Sequence, residues 1–169
     1  MDVTVPRPRP AASSANTLRT FRLAGFGGAG LFLRSRILPA GIDGRDVAAL
    51  GCDVRLVAPD YDGGYLGREA GAGLVERLSA FLFRAGDDLL PEQTVPRFED
   101  PRLGLALDVE SSDGSVITLV ATVVKDVTDA DDVDVMNFTT SRYALVAAAE
   151  AVHALDGSDA APWLEEMPS

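Results

Sequence analysis

The densest group of side chains that could do chemistry in this sequence is a run of aspartates in its last third. Five carboxylates stand close together there: Asp126, Asp129, Asp131, Asp132 and Asp134. Carboxylate oxygens in a flexible loop suit Ca²⁺, but this run lacks the loop glycine and the closing glutamate of an EF-hand. Runs of like charge usually face water. We therefore expect a solvated acidic loop that binds no metal ion and presents a negative surface to a basic partner.

A second stretch, residues 60–65, combines carboxylates with aromatic rings in the order Asp-Tyr-Asp-Gly-Gly-Tyr. This mixture is typical of recognition loops, which carry much of the binding in proteins. Turn chemistry alone also accounts for Asp and Gly at these positions. The stretch predicts a loop that precedes a helix, and Tyr61 and Tyr65 are candidates for contact with a partner.

A glycine cluster between Gly25 and Gly30 matches the G-x-G-x-x-G pattern of dinucleotide-binding turns by letter. In that fold the glycines open a helix whose N-terminus holds the pyrophosphate. Here residues 31–38 alternate with the period of a strand, and Pro39 ends the run. The pattern therefore favours a hairpin turn, and no cofactor is expected.

The residues that could act as nucleophiles or bases have simpler explanations. Cys52 begins an alternating apolar run, which predicts a buried strand position. His153 is the only histidine and stands near the end of a predicted helix, where its charge would meet the dipole. Ser115 and Ser141 lack the flanking residues of a nucleophile elbow. We expect no enzymatic activity. The alternatives are a hydrolase or metal-dependent enzyme whose carboxylates are assembled by the fold, and a housekeeping or regulatory domain.

Length and composition describe one folded domain, since the chain has 169 residues, of which 47% are hydrophobic and 24% charged. The net charge of −11 argues against nucleic acid as a ligand. A single cysteine fits a reducing cytoplasm, and no apolar run approaches the roughly 20 residues of a membrane span. All basic residues except Lys125 are arginine, which is typical of a GC-rich bacterial source.

The spacing of apolar residues predicts the strands and helices that position these side chains. Apolar runs predict strands at 18–24, 31–38, 52–58, 103–109, 116–124 and 133–139, with a short edge strand near Thr94 and Val95. The run at 116–124 is apolar on both faces, which predicts a central strand. Apolar residues at helical spacing predict helices at 69–84 and 142–155, the second capped by Thr140 or Ser141 at its start and by Gly157 at its end. The order predicts an α+β fold: an antiparallel sheet of five or six strands with both helices packed on one face.

The ends of the chain differ from its middle. Residues 1–16 interleave proline with arginine and predict a disordered tail, followed by a single α+β domain at 17–157. Residues 158–169 predict a loose tail whose Trp163 could anchor on a partner or fold back onto the domain.

The order of a strand-rich start, a turn of tyrosine and glycine, a helix, a hairpin around Asp113-Gly114 and a closing helix resembles small uncharacterised actinobacterial domains. Those domains are similar to WapI-type immunity proteins of polymorphic toxin systems. The resemblance covers about residues 17–156 and implies a non-catalytic protein that binds a partner toxin. Residues 99–134 would supply the surface, since they hold ten carboxylates against Arg102 and Lys125, a local net of −8.

Overall fold

The computed structural model describes residues 19–38, 40–41, 44, 47–87, 95–126 and 128–155. The two predicted tails lie outside the described residues, as do Thr94, Gly157 and Trp163. Four strands followed by a helix occur twice in the described part of the chain. The elements are β1 (Arg19–Ala24), β2 (Gly30–Leu38), β3 (Ala49–Ala58), β4 (Tyr61–Glu69), α1 (Leu74–Gly86), β5 (Phe98–Asp100), β6 (Leu105–Asp113), β7 (Val116–Asp126), β8 (Asp129–Ser141) and α2 (Arg142–Ala151).

The strands form two antiparallel meanders rather than one sheet. Sheet A has the order β1-β2-β3-β4, and sheet B has the order β5-β6-β7-β8. The predicted α+β class and the antiparallel pairing are confirmed, but the predicted single sheet of five or six strands is wrong. The chain leaves sheet A through α1 and then a proline-containing connection, and proline cannot donate to a strand ladder. The second meander therefore starts again on its own short strand, β5.

Apolar side chains at alternate positions cover one face of each sheet. In sheet A, Leu23, Leu31 and Leu56 form one buried row across three strands. In sheet B, Leu119 pairs with Phe138, and both are buried. These side chains and those of both helices belong to one cluster. Burial of apolar surface, at about 25 cal/mol per Å², is the main stabilising contribution to such a core.

The first residue of each helix is determined by the residue just before it, through its backbone conformation or its capping side chain. The predicted helix at 69–84 starts later, at Leu74, because β4 continues to Glu69 and Gly73 takes a left-handed conformation with φ of 68°. The second helix begins as predicted at Arg142, and the Ser141 side chain caps it by accepting the Ala144 N–H at 3.0 Å. It ends in a 3-10 turn, Val152–Leu155. Neither helix in the described ranges is long and apolar enough to cross a membrane.

The glycine cluster forms the turn between β1 and β2, as predicted. Its centre is a short 3-10 turn, Phe26–Gly28, in which Gly27 and Gly28 have φ of 72° and 85°. Such positive φ angles favour glycine, because other residues are strained there. A strand and not a helix begins at Gly30, so the arrangement required by the dinucleotide pattern is absent from this hairpin.

One buried carboxylate joins the two halves. Asp100 has no exposed surface, and it accepts the backbone N–H of Gly71 at 3.0 and 3.1 Å and that of Leu103 at 2.9 Å. The Arg77 guanidinium from α1 donates to the same carboxylate at 2.8 Å. Because Gly71 lies ahead of α1 and Leu103 ahead of β6, Asp100 fixes the helix of the first half against the first strands of the second.

Replacement of Asp100 by alanine should lower the free energy of unfolding by about 3 kcal/mol or more, because it leaves buried N–H donors without acceptors and removes the partner of Arg77. Urea unfolding followed by circular dichroism measures this loss. The matched control is Asp62→Ala, which breaks the solvent-exposed Asp62–Arg55 pair and should have a far smaller effect. Equal losses in the two variants would contradict the role assigned to Asp100.

Candidate functional site

The predicted acidic stretch lies at the tip of the hairpin formed by β7 and β8. Asp126 ends β7, and its Oδ1 accepts the backbone N–H of Thr128 at 2.9 Å and the Thr128 hydroxyl at 2.7 Å. This local side-chain hydrogen bonding replaces a backbone turn. The same two hydrogen bonds, helped by the charge of Arg68, hold the pKa of Asp126 below its usual value. The aspartate is therefore both a turn residue and a fixed negative charge.

The stretch is mostly strand rather than the predicted loop. β8 begins at Asp129, and its pairing with β7 sets Val133 opposite Val124 and Asp134 opposite Val123. Charged residues are rare in central strands, but β8 is the last strand of sheet B. Charges on an edge strand reach water and discourage unwanted strand pairing. This edge position is the physical reason why so acidic a segment takes strand conformation.

Few basic groups neutralise this hairpin. Lys125 Nζ lies 3.3 Å from Asp134 Oδ1 and 3.6 Å from Asp132 Oδ1. Three further carboxylates of the hairpin are exposed and form no ion pair with any residue that the structure describes: those of Asp126, Asp129 and Asp131. The tip of the hairpin therefore carries an excess of negative charge, which the charge of Arg68 offsets in part at Asp126.

Three carboxylates elsewhere in the predicted acidic window of residues 99–134 are paired with arginine, which narrows that surface. Asp100 is buried and pairs with Arg77 at 2.8 Å, and Asp108 pairs with Arg97 at 2.9 Å. Glu99 lies 3.8 Å from the same Arg97. The acidic surface is therefore densest on the β7–β8 hairpin, and Glu110 and Asp113 are further exposed carboxylates of the predicted window.

Tyr61 and Tyr65 lie on strand β4 and not in the predicted loop. The register with β3 pairs Tyr61 with Ala58 and Tyr65 with Val54, so both rings lie on the same face of sheet A. Both are partly buried. The stretch had the composition of a turn, but pairing with the apolar strand β3 outweighs the weak strand propensity of its glycines.

The structure brings these tyrosines to the acidic hairpin. The Tyr61 hydroxyl donates to Asp134 Oδ2 at 2.5 Å, and it lies 3.1 Å from the Tyr65 hydroxyl. Because the single proton of Tyr61 goes to the carboxylate, Tyr65 is the donor between the two phenols. Burial and the hydrogen bond to charged Asp134 raise the pKa of Tyr61 to about 12. The phenol is therefore a proton donor and not a base at neutral pH.

Gly63 leaves room for this arrangement. A Cβ at Gly63 would lie 2.8 Å from Cζ of Tyr61 and would also collide with its hydroxyl oxygen. The Tyr61 ring consequently lies over Gly63, and its hydroxyl reaches Asp134 of sheet B. The glycine that made this stretch resemble a turn is thus explained by the close approach of the ring.

Arg68 is a further residue of this junction, and sequence reasoning missed it. Its guanidinium donates to the backbone oxygens of Leu103 and Lys125, each at 3.0 Å, and lies 5.0 Å from the centre of the Tyr65 ring. Burial lowers the pKa of Arg68. A lone arginine near the end of a strand gives no signal in sequence, because both of its acceptors are main-chain atoms of distant residues.

Among the other chemically active side chains, Cys52 and Ser141 have structural roles. Cys52 is buried as predicted, and this burial raises the pKa of its thiol to about 12, with the charges of Asp100 and Asp53 adding to the effect. Ser141 is occupied as the cap of α2. His153 lies in the 3-10 turn that follows the helix. Within the described ranges, no three side chains of His, Cys, Asp or Glu are grouped as metal ligands.

Comparison of the chain with protein-family models, curated proteins and solved structures finds no match. The site is therefore interpreted from its own geometry. It consists of a negative hairpin tip, and a base at which Asp134 is held by Tyr61 and Lys125.

The Tyr61–Asp134 contact predicts an unusual alkaline titration. Absorbance of tyrosinate should show a step near pH 12 that disappears in Tyr61→Phe and moves to lower pH in Asp134→Asn. A raised pKa means that this phenol stabilises the fold below pH about 10, and that the contribution is lost as the pH rises toward 12. Circular dichroism at each pH identifies any unfolding, and Tyr143→Phe, which alters an exposed tyrosine, is the control. An unchanged step in Tyr61→Phe would contradict the assignment.

Proposed function

We propose that the protein is a non-catalytic protein-binding domain of the immunity type, which neutralises a basic partner such as a toxin domain through its β7–β8 hairpin. The observation that carries this proposal is the clustering of carboxylates at the hairpin. Elsewhere on the described surface, carboxylates either pair with arginine, as Asp53 does with Arg34 at 2.7 Å, or are exposed singly on separate elements, as Glu76 and Glu150 are. At the hairpin tip, Asp126, Asp129 and Asp131 lie within six positions of each other and form no ion pair with any residue that the structure describes.

Clustered charge of this kind favours association with a basic protein. Like charges held close together repel each other, so the exposed charges of Asp129 and Asp131 oppose folding rather than favour it. The same field accelerates encounter with an oppositely charged surface and excludes acidic partners. The chain as a whole, with a net charge of −11, adds to this long-range attraction.

The base of the hairpin supports binding by holding the charges in place. Asp134 is tied to Tyr61 on β4 and to Lys125 on β7, and Arg68 fixes the backbone of Lys125. A binding surface that is already ordered loses less conformational entropy when the partner arrives. Tyr61 and Tyr65 thus act from beneath the acidic surface, and the partner meets the carboxylates above them.

Reversal of charge at the tip should weaken partner binding. The native protein is used as bait in lysate of its source organism, and a captured basic protein, with the product of the neighbouring gene as the first candidate, is then purified. The variant Asp129→Lys/Asp131→Lys/Asp132→Lys should raise the Kd for that partner by at least about tenfold and flatten its dependence on salt. Biolayer interferometry at several salt concentrations measures both effects.

A matched control separates local from global charge. The variant Glu76→Lys/Asp113→Lys/Glu150→Lys makes the same change in net charge at three exposed positions away from the hairpin tip. It should retain most of the affinity. If the hairpin variant binds like the native protein, with unchanged salt dependence, the hairpin has no part in recognition and the proposal is wrong.

A further inference from the structure

The outer face of strands β7 and β8, away from the hairpin tip, is an uncharged surface. In β7, the buried side chains of Ile117, Leu119, Ala121 and Val123 alternate with side chains that point the opposite way. Strand pairing aligns these outward side chains with those of β8. Between Val116 and Val124 of β7 and between Val133 and Ser141 of β8, ten outward residues result, and none is charged: Val116, Thr118, Val120, Thr122, Val124, Val133, Val135, Asn137, Thr139 and Ser141.

This face is partly open to solvent in the described structure, since its side chains are either exposed or half-buried, and Val120 is among the half-buried ones. Val135 is 58% exposed and Val116 is 39% exposed, while both helices pack with the buried side chains of the opposite face. Strand propensity alone does not explain valine at these exposed positions. Threonine has the same branching at Cβ, favours extended backbone as well, and interacts better with water. Contiguous exposed apolar surface of this kind usually marks a binding site.

The charged residues around this face indicate which kind of partner binds to it. Glu110 lies on the same side of sheet B, since its Oε1 accepts Asn137 Nδ2 at 3.4 Å. Asp108 is the outward neighbour of Val120 and is shared with Arg97. The negative hairpin tip adjoins the other end of the two strands. A second copy of this chain would bring carboxylates against carboxylates, so charge complementarity favours a basic partner.

We propose that the outer face of β7 and β8 is the apolar centre of the partner interface, and that it receives a basic amphipathic helix. The inference rests on the proposed function and adds the contact that gives the complex its lifetime. A helix laid on this face would set its apolar stripe on Val120 and Val135. Lysine or arginine side chains along the stripe would extend to Glu110 and to the hairpin carboxylates, because their long stems can lie over apolar surface while the charge stays at the rim.

The test uses a synthetic helical peptide of two Leu-Lys-Lys-Leu-Leu-Lys-Leu repeats as probe. It should bind the native protein saturably, and two control peptides should bind much more weakly: one with serine in place of leucine, and one with glutamate in place of lysine. The variant Val120→Thr/Val135→Thr keeps strand propensity and charge. It should raise the Kd for the leucine–lysine peptide about tenfold and leave the weak binding of the serine–lysine peptide unchanged. Val47→Thr, at another exposed valine, should have no effect.

The outcomes distinguish this inference from the proposed function. In one outcome, the peptide binds the valine variant normally but loses affinity for Asp129→Lys/Asp131→Lys/Asp132→Lys. That result would refute a role of the apolar face in binding and support the role of the acidic hairpin. If only the valine variant loses affinity, the result would support the role of the apolar face in binding and refute that of the acidic hairpin. Sedimentation velocity should give a monomer. A dimer that Val120→Thr/Val135→Thr dissociates would overturn the inference in favour of a second copy as occupant.

Discussion

The hydrogen bonds to the buried Asp100 carboxylate determine how the two halves of this protein fit together. The carboxylate accepts two backbone N–H groups and a guanidinium. Those donors belong to the segment ahead of α1, to the segment ahead of β6 and to α1 itself. A buried carboxylate without such partners would be strongly destabilising. These hydrogen bonds therefore stabilise the arrangement that brings Gly71, Leu103 and Arg77 to the same point.

The position of sheet B has a direct consequence for the acidic hairpin. With β6 fixed at Leu103, the Arg68 guanidinium reaches the backbone of both Leu103 and Lys125, and the Tyr61 hydroxyl reaches Asp134. The base of the hairpin is thereby tied to sheet A, whereas its tip projects into solvent. An ordered base beneath a negatively charged tip is the combination that a pre-formed electrostatic binding site requires.

The sequence predicted the parts of the fold that depend on local pattern. The β1–β2 hairpin, the turn at Asp113-Gly114 and the helix that Ser141 caps follow from period, turn residues and capping. Strand β4 and the first half of β8 were missed, since Gly63 and the clustered aspartates have low strand propensity and only their neighbours in the sheet hold them extended. The division into two sheets cannot be predicted from local sequence patterns. It depends on which edge strands, distant from each other in the chain, do not pair.

The candidate site was predicted in its parts but not in its assembly. Tyr61, Tyr65 and the aspartates from Asp126 to Asp134 were each selected for composition, yet 73 positions separate Tyr61 from Asp134. Nothing in either stretch indicates the other. Such contacts depend on tertiary packing, here on the way Asp100 and Arg68 place sheet B against β4.

The central claim is that the hairpin carboxylates serve binding and not folding, and the stability of Asp129→Asn/Asp131→Asn/Asp132→Asn tests it most directly. Asparagine keeps the size and the acceptor oxygen of aspartate but removes the charge. If the charges are retained for a partner, relief of their repulsion should leave the free energy of unfolding unchanged or raise it at low salt, and added salt should erase the gain. A decrease of about 1 kcal/mol or more, the contribution of a lost hydrogen bond, would show that the fold itself needs these charges and would contradict the account.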